Sequence, residues 1–154
     1  ANDVIMEAGA ELSALLADEL WSLVGANSNP IAAGYVQEMV KTIRGLGGIA
    51  VTSTQGMQDL FGLEGGKYGK GILDSSRIKL VMQMEEQEAR LIQGVLNLSE
   101  DEVRQVTRFR RGEGLLCIGY NHVPISIYVT PKEYDAITTS PTDLRSRWEG
   151  TDHE

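Results

Sequence analysis

Apolar residues near the start of the chain admit two interpretations. Between residues 4 and 24 they recur at three- and four-residue steps, which is the period of an amphipathic helix. A strand fits the same letters, because residues 15–17 (LLA) can end a short buried strand that leaves Asp18 and Glu19 at its tip. Periodicity alone does not separate the two, so both the helix and the strand stay open.

The rest of the pattern alternates between helical and strand segments. Helical spacing or capping signals predict helices over residues 31–46, 55–61, 85–96 and 99–107, and Pro131 predicts the start of a last short helix. Runs rich in β-branched or alternating apolar residues predict strands over residues 49–54, 78–84, 114–120 and 123–129. Asn121 and His122 separate the last two runs and indicate a hairpin turn.

Strands that alternate with helices predict an α/β fold, with a mostly parallel sheet that an antiparallel hairpin finishes at one edge. We expect one domain over residues 1–144, followed by a polar tail at 145–154. Residues 1–14 form an atypical N-terminal segment, for which a helix is one interpretation. A hydrophobic share of 42% and a charged share of 23% are those of an ordinary soluble globular protein.

Charge and cysteine content narrow the function classes. The formal net charge is −8, whereas binding to nucleic acid draws most of its affinity from Lys and Arg, so no direct nucleic-acid binding is expected. The lone Cys117 cannot form an internal disulfide, which fits a reducing compartment. No apolar run approaches the roughly 20 residues needed to span a bilayer, and we expect a cytoplasmic location.

A glycine-rich stretch, residues 62–71, carries five glycines in ten residues and predicts a loop. A phosphate-cradling Walker A loop requires the pattern GxxxxGK followed by Ser or Thr. The two Gly-Lys pairs of this stretch are followed by Tyr68 and Gly71, so the required hydroxyl is missing from both. The stretch is therefore not a Walker A loop.

Two adjacent acids are the first candidates for chemistry. At the carboxyl tip of a strand, Asp18 can hold Mg²⁺ and Glu19 can orient or deprotonate an attacking water, as nucleotide hydrolysis requires. Two solvent-facing acids on an amphipathic helix are the alternative, and the dipeptide alone favours that alternative.

An arginine and a glutamine extend this set. Gln55 follows a predicted strand, and ligands of open α/β sheets bind beyond the carboxyl ends of strands. Arg44 lies near a helix end, from which an arginine can reach the site of the next subunit. A helix cap for Gln55 and a helix-end cation for Arg44 are the simpler explanations. The basic run at 108–111 is best explained as a solvated turn, and His122 as a turn residue.

Taken together, these parts resemble the second half of the ATPase domain of conjugative-transfer motors, in the FtsK–HerA division of RecA-like P-loop ATPases. The similarity is greatest to type IV secretion ATPases of integrative and conjugative elements of Gram-positive bacteria. It covers residues 18–144 and rests on the strings DELWSL, KTIRGLGGIAVTSTQGMQDLF, GKYGKGILDSSRIKLVMQMEEQE, LNLSEDEV, RRGEGLL and ITTSPTDL.

The resemblance implies a role for each candidate residue. Asp18 and Glu19 correspond to the Walker B pair, with Asp18 binding Mg²⁺ through water. Gln55 corresponds to the sensor glutamine and Arg44 to a trans-acting arginine. ATP and Mg²⁺ are the implied cofactors. Members of the family act as hexamers on the cytoplasmic face of the membrane, together with other secretion-channel subunits.

The sequence differs from the family in two features, and both lower the activity expected of the chain. The phosphate-binding half is missing, and residues 1–14 lack the extended hydrophobic strand expected before Asp18. We therefore expect a motor ATPase fragment that is inactive alone. A non-catalytic assembly module of a secretion complex is the main alternative, and a DNA-pumping relative of the same superfamily is a third.

Overall fold

A computed structural model describes residues 14–138 and residue 140. Five strands are present in this part of the chain: β1 (Ala14–Ala17), β2 (Ile49–Thr52), β3 (Ile78–Met82), β4 (Glu113–Ile118) and β5 (Asn121–Ser126). The α-helices are α1 (Trp21–Val24), α2 (Pro30–Thr42), α3 (Met57–Leu60), α4 (Lys67–Ser75), α5 (Glu86–Leu96), α6 (Glu100–Val106) and α7 (Pro131–Ile137). Short 3₁₀ helices cover Ile43–Leu46 and Leu63–Gly66.

The strands β1 and β2 form a two-stranded parallel sheet, with Ala17 opposite Thr52. The strand interpretation of residues 15–17 is therefore confirmed, and the helix interpretation is wrong from residue 14 to residue 17; residues 1–13 lie outside the described part. Hydrogen bonds continue past the strand ends, from Ser53 N to Ala17 O (2.9 Å) and from Leu20 N to Ser53 O (2.8 Å). The two chain segments thus leave the carboxyl edge of the sheet side by side.

A second sheet is antiparallel and has the order β3-β4-β5. The hairpin between β4 and β5 turns at Gly119 and Tyr120, so the turn predicted at Asn121 and His122 was placed two residues too late. Gly119 adopts a φ of +61°, a conformation that glycine tolerates without strain. Asn121 and His122 instead begin β5.

Capping explains where the main helices begin and end. Asn29 accepts a hydrogen bond from Ile31 N (2.8 Å), and Pro30 occupies the first turn of α2. The helical path ends at Gly47, which has a φ of +76°. A reciprocal capping box between Ser99 and Glu102 starts α6, where capping signals predicted a helix over residues 99–107.

The second half of the glycine-rich stretch is helical, which corrects the loop predicted there from residue 67 to residue 71, whereas Glu64, Gly65 and Gly66 have the left-handed backbone of a turn. The stretch contains Leu63–Gly66 and most of α4, whose Tyr68 and Ile72 are buried. A Cβ atom at Gly69 would lie 2.4 Å from Leu60 O. Gly69 therefore allows α4 to pack closely on the chain at Leu60, and the loop prediction failed from residue 67 onward because this glycine serves packing.

One hydrophobic core joins these elements, and its largest fully buried side chains include Leu60, Ile72, Ile92 and Leu115. The α/β class is confirmed, with parallel and antiparallel pairing both present. The antiparallel part includes β3 as well as the hairpin. None of the described helices is both long and apolar enough to cross a membrane.

Candidate active site

The carboxyl edge of the parallel sheet brings together three of the four residues singled out from the sequence. Asp18 and Glu19 follow β1, and Gln55 lies three residues beyond the end of β2. Gln55 Nε2 donates a short hydrogen bond to Glu19 Oε1, across 36 positions of sequence. Parallel pairing explains this meeting, because it places the carboxyl ends of both strands at one edge.

Asp18 receives two hydrogen bonds on the same carboxylate oxygen. Ser53 Oγ donates a short bond to Oδ1, and the backbone N–H of Glu19 donates to that oxygen at 3.0 Å. The Ser53 hydroxyl contributes most to holding the pKa of Asp18 below its usual value, and the Glu19 N–H adds to the effect. Both hydrogen bonds thus stabilise the carboxylate form of the exposed Asp18 side chain.

Glu19 has an unusual backbone and two side-chain partners. Its φ is +51°, in the left-handed region that costs a non-glycine residue about 1 kcal/mol or more. Its Oε2 accepts a hydrogen bond from Trp21 Nε1 at 2.6 Å, while Oε1 accepts from Gln55. Both carboxylate oxygens are thereby fixed at the sheet edge. Strained backbone of this kind is frequent at functional sites.

The donor set fits one side of a magnesium–nucleotide site. Mg²⁺ prefers oxygen ligands and typically takes one or two carboxylates, with waters and phosphate oxygens completing the octahedron. Asp18 supplies such a carboxylate, and within the described ranges no group of three or more acidic, His or Cys side chains gathers as a metal site. Thr54, between Ser53 and Gln55, has a buried hydroxyl with no hydrogen-bond partner in the described part of the chain.

Arg44 lies apart from this cluster. It belongs to the 3₁₀ helix Ile43–Leu46, which precedes β2, whereas Gln55 follows β2. The length of β2, roughly 10 Å, and the turns at its two ends therefore separate Arg44 from the acidic pair of the same chain. Arg44 instead lines an open cleft, together with residues at the end of α2 and the start of β3.

Two contact residues escaped the sequence analysis. Ser53 lies within the predicted strand IAVTST, and its position next to the end of a parallel strand is a usable signal. Trp21 carries an indole N–H in the string DELW, but nothing in the sequence alone indicates its bond to Glu19. His122 also has a partner that was not foreseen, since its Nδ1 lies 2.7 Å from Glu102 Oε1.

The decisive comparison is with a solved structure of VirB4 from Thermoanaerobacter pseudethanolicus. The two structures superpose with a TM-score of 0.76 at 30% sequence identity, over 85% of this chain. The chain is similar to part of VirB4. This finding confirms the resemblance to type IV secretion ATPases that the sequence strings indicated, and the VirB4-like fold is that of a P-loop NTPase.

More distant neighbours share the fold of this VirB4-like chain. They are structures of the genome packaging NTPase B204 from Sulfolobus turreted icosahedral virus 2. Its complex with ATP-gammaS gives a TM-score of 0.57 at 16% identity over 75% of this chain. Its complex with AMP gives 0.59 at 15% identity over 84%. No protein-family model and no curated protein sequence matches the chain.

The VirB4-like chain spans only part of these neighbours. It covers 35% of the VirB4 chain, and 52% and 59% of the packaging NTPase chain in the two complexes. The aligned region therefore leaves most of VirB4 without a counterpart among the 154 residues.

Proposed function

We propose that this chain is one half of the ATP-hydrolysing centre of a type IV secretion motor. The observation that carries the proposal is the cluster of Asp18, Glu19 and Gln55 at the carboxyl edge of a parallel sheet. The similarity to VirB4 and to packaging NTPases supports the same motor class.

Each residue of the cluster has a defined task in this proposal. Asp18, whose carboxylate accepts a hydrogen bond from Ser53, would hold Mg²⁺ through water, and the ion would neutralise charge on the phosphates. Glu19 orients the attacking water and accepts its proton, as a general base must lie within hydrogen-bond reach of that proton. Gln55 positions Glu19 and senses the terminal phosphate. ATP with bound magnesium supplies the phosphoryl group that water attacks.

The phosphates of ATP require a cradle from outside the 154 residues. The sequence contains no GxxxxGK pattern followed by Ser or Thr. The unpartnered hydroxyl of Thr54 also fits a missing neighbour at this edge, since buried polar groups are normally hydrogen-bonded. The chain alone is accordingly inactive in hydrolysis.

Arg44 acts on the nucleotide of an adjacent copy in this scheme. Its separation from the acidic pair of its own chain supports a trans role, because one molecule does not present both groups to one phosphate. A ring of copies, a hexamer in the family, places each Arg44 near the next site. We assign the assembly to the cytoplasmic face of the membrane, where other secretion-channel subunits are its partners.

Complementation tests the proposed activity. The chain is mixed with a separately expressed phosphate-binding half of the same motor, and Mg²⁺-dependent release of phosphate from ATP is measured. We expect activity from the mixture and none from either part. Glu19→Gln should reduce the rate about 100-fold or more by removing the base.

A matched control guards against general effects of lost negative charge. Glu38→Gln, at an exposed position of α2, removes the same charge and should leave the rate unchanged. A complex that forms without hydrolysing ATP would reject the proposal and favour a non-catalytic assembly module. An equal loss of rate in both variants would mean that Glu19 is not the general base of the reaction.

A further inference from the structure

A second candidate site lies at the opposite end of the parallel sheet, in the open cleft that contains Arg44. We call it the basic cleft. Its volume is about 710 Å³, within the range typical of small-molecule sites. The last turns of α2, α4 and α5, the start of β3 and the β4–β5 hairpin surround it. The cations along its wall are Lys41, Arg44, Arg77 and Lys79.

The charge of the basic cleft contrasts with that of the whole chain. Four of the 14 lysines and arginines line it, although the net charge is −8. Asp74 is the one carboxylate among the described lining residues. None of the four cations forms an ion pair within 4 Å with any residue of the described ranges. Mutual repulsion of unpaired cations is relieved when an anion binds between them.

The shape and surroundings of the cleft favour a compact anion over an extended one as its ligand. An extended nucleic acid would have to continue beyond the cleft over a chain whose net charge is −8, whereas a short polyphosphate needs only the cations of the cleft. Tyr120, 96% exposed at the hairpin tip, offers an aromatic face beside the cations. A base can stack on such a face. The combination of phosphate-binding cations and a stacking surface matches a nucleotide.

We infer that the basic cleft binds the phosphate groups of a nucleoside triphosphate, with Lys41, Arg77 and Lys79 as ligands beside Arg44. The source of that nucleotide rests on the proposed function: it is the ATP held at the carboxyl edge of a second copy. Lys41, Arg77 and Lys79 then bind phosphates of that nucleotide at the junction between copies, while Arg44 stabilises the phosphoryl group that is transferred.

Binding to the chain by itself tests the inference. Isothermal titration calorimetry with inorganic tripolyphosphate and with ATP, in low salt, should show one saturable site for each. The double variant Lys41→Gln with Arg77→Gln should bind at least tenfold more weakly. Raised salt should weaken the wild-type interaction as well, because it screens exposed charges.

The control removes the same charge from the densest basic run of the sequence. Arg108→Gln with Arg110→Gln should change the affinity less than twofold. Equal losses in the two double variants, or no saturable binding by the wild type, would overturn the inference. Circular dichroism melting curves establish that each variant is folded, and Lys79→Gln provides an independent single change with the same expected direction.

A competition arm separates nucleotides from nucleic acid. A short single-stranded oligonucleotide that displaced tripolyphosphate and bound more tightly than ATP would overturn the assignment to a nucleotide. None of these binding measurements depends on hydrolysis. The complementation assay can therefore fail while the cleft still binds phosphate, and the assay can succeed while the cleft binds none.

Discussion

Asp18 owes its low pKa to hydrogen bonds rather than to a neighbouring cation. Ser53 and the backbone N–H of Glu19 both donate to Oδ1, and each stabilises the carboxylate over the neutral acid. A group with a depressed folded-state pKa stabilises the fold above its unfolded pKa of about 4. That contribution is lost as the pH falls through the lower, folded value.

The role of Ser53 can be measured directly. Ser53→Ala removes the hydrogen bond that contributes most to lowering the pKa of Asp18, so this pKa should rise toward its ordinary value. A carboxyl-carbon NMR titration reports this pKa. Ser75→Ala, which deletes a hydroxyl bonded to Gly71 O in α4, is the control and should leave Asp18 unchanged. An identical Asp18 titration in Ser53→Ala and wild type would refute the assignment.

At the scale of elements, a glycine permits close packing in one helix, whereas a glycine in another helix has no neighbour to pack against. Gly69 of α4 has Leu60 O within 2.4 Å and Leu60 Cγ within 2.9 Å of where a Cβ would be. Gly94, in α5, has nothing within 4 Å of that position. The same substitution to alanine therefore has opposite consequences at the two sites.

We expect Gly69→Ala to destabilise the fold by about 1–3 kcal/mol, the range for overpacking in a core. Gly94→Ala should stabilise it by about 0.5–1 kcal/mol, because alanine is the better helix former. Urea denaturation of both variants, followed by circular dichroism, gives the two free energies. Equal changes at both positions would contradict the packing role of Gly69.

This pair also shows why the sequence predicted some elements and missed others. Strands and capped helices carry local signals, such as the Ser99 capping box and the β-branched run of β2, and these were predicted. The helix α4 was missed because Gly69 packs against Leu60 and Gly71 against Gln37, and both contacts exist only in the folded chain. The bonds of Ser53 and Trp21 to the acidic pair were missed for the same reason.

The candidate site residues were predicted from a combination of strings rather than from one motif. Asp18 and Glu19 alone were ambiguous, since a helix fitted their neighbourhood as well as a strand. Only the parallel pairing of β1 with β2 brings Glu19 and Gln55 together. Such a non-local contact has no signature within either segment.

At the scale of the whole molecule, the parallel sheet has an open face and open edges in the described part of the chain. Leu16 is 76% exposed and Val51 52%, and they are register partners on one face of the sheet. Ile78 of β3 is also mostly exposed. Apolar faces and unpaired strand edges promote association with other chains.

The isolated chain should consequently self-associate as its concentration rises. Size-exclusion chromatography with light scattering measures the mass across a concentration series. Leu16→Lys with Val51→Lys places charges on the exposed face and should shift the equilibrium toward the monomer. A wild-type chain that stays monomeric at high concentration would contradict this prediction.

Assembly also determines how Arg44 is tested. If it acts in trans, Arg44→Ala abolishes turnover in the complemented motor while leaving nucleotide binding at the carboxyl edge largely intact. Glu19→Gln also abolishes turnover, because it removes the general base that the other copy supplies to the same junction. Each variant is inactive alone because every junction lacks one of the two groups.

Mixing the two inactive variants gives the sharper result. Wherever an Arg44→Ala copy supplies Glu19 and a neighbouring Glu19→Gln copy supplies Arg44, the junction is complete. Random mixing in equal amounts makes about one quarter of the junctions complete, so ATPase activity should return toward that fraction of the wild-type rate. A mixture that stays inactive, although light scattering shows co-assembly, would mean that Arg44 and Glu19 do not serve one phosphate across a junction.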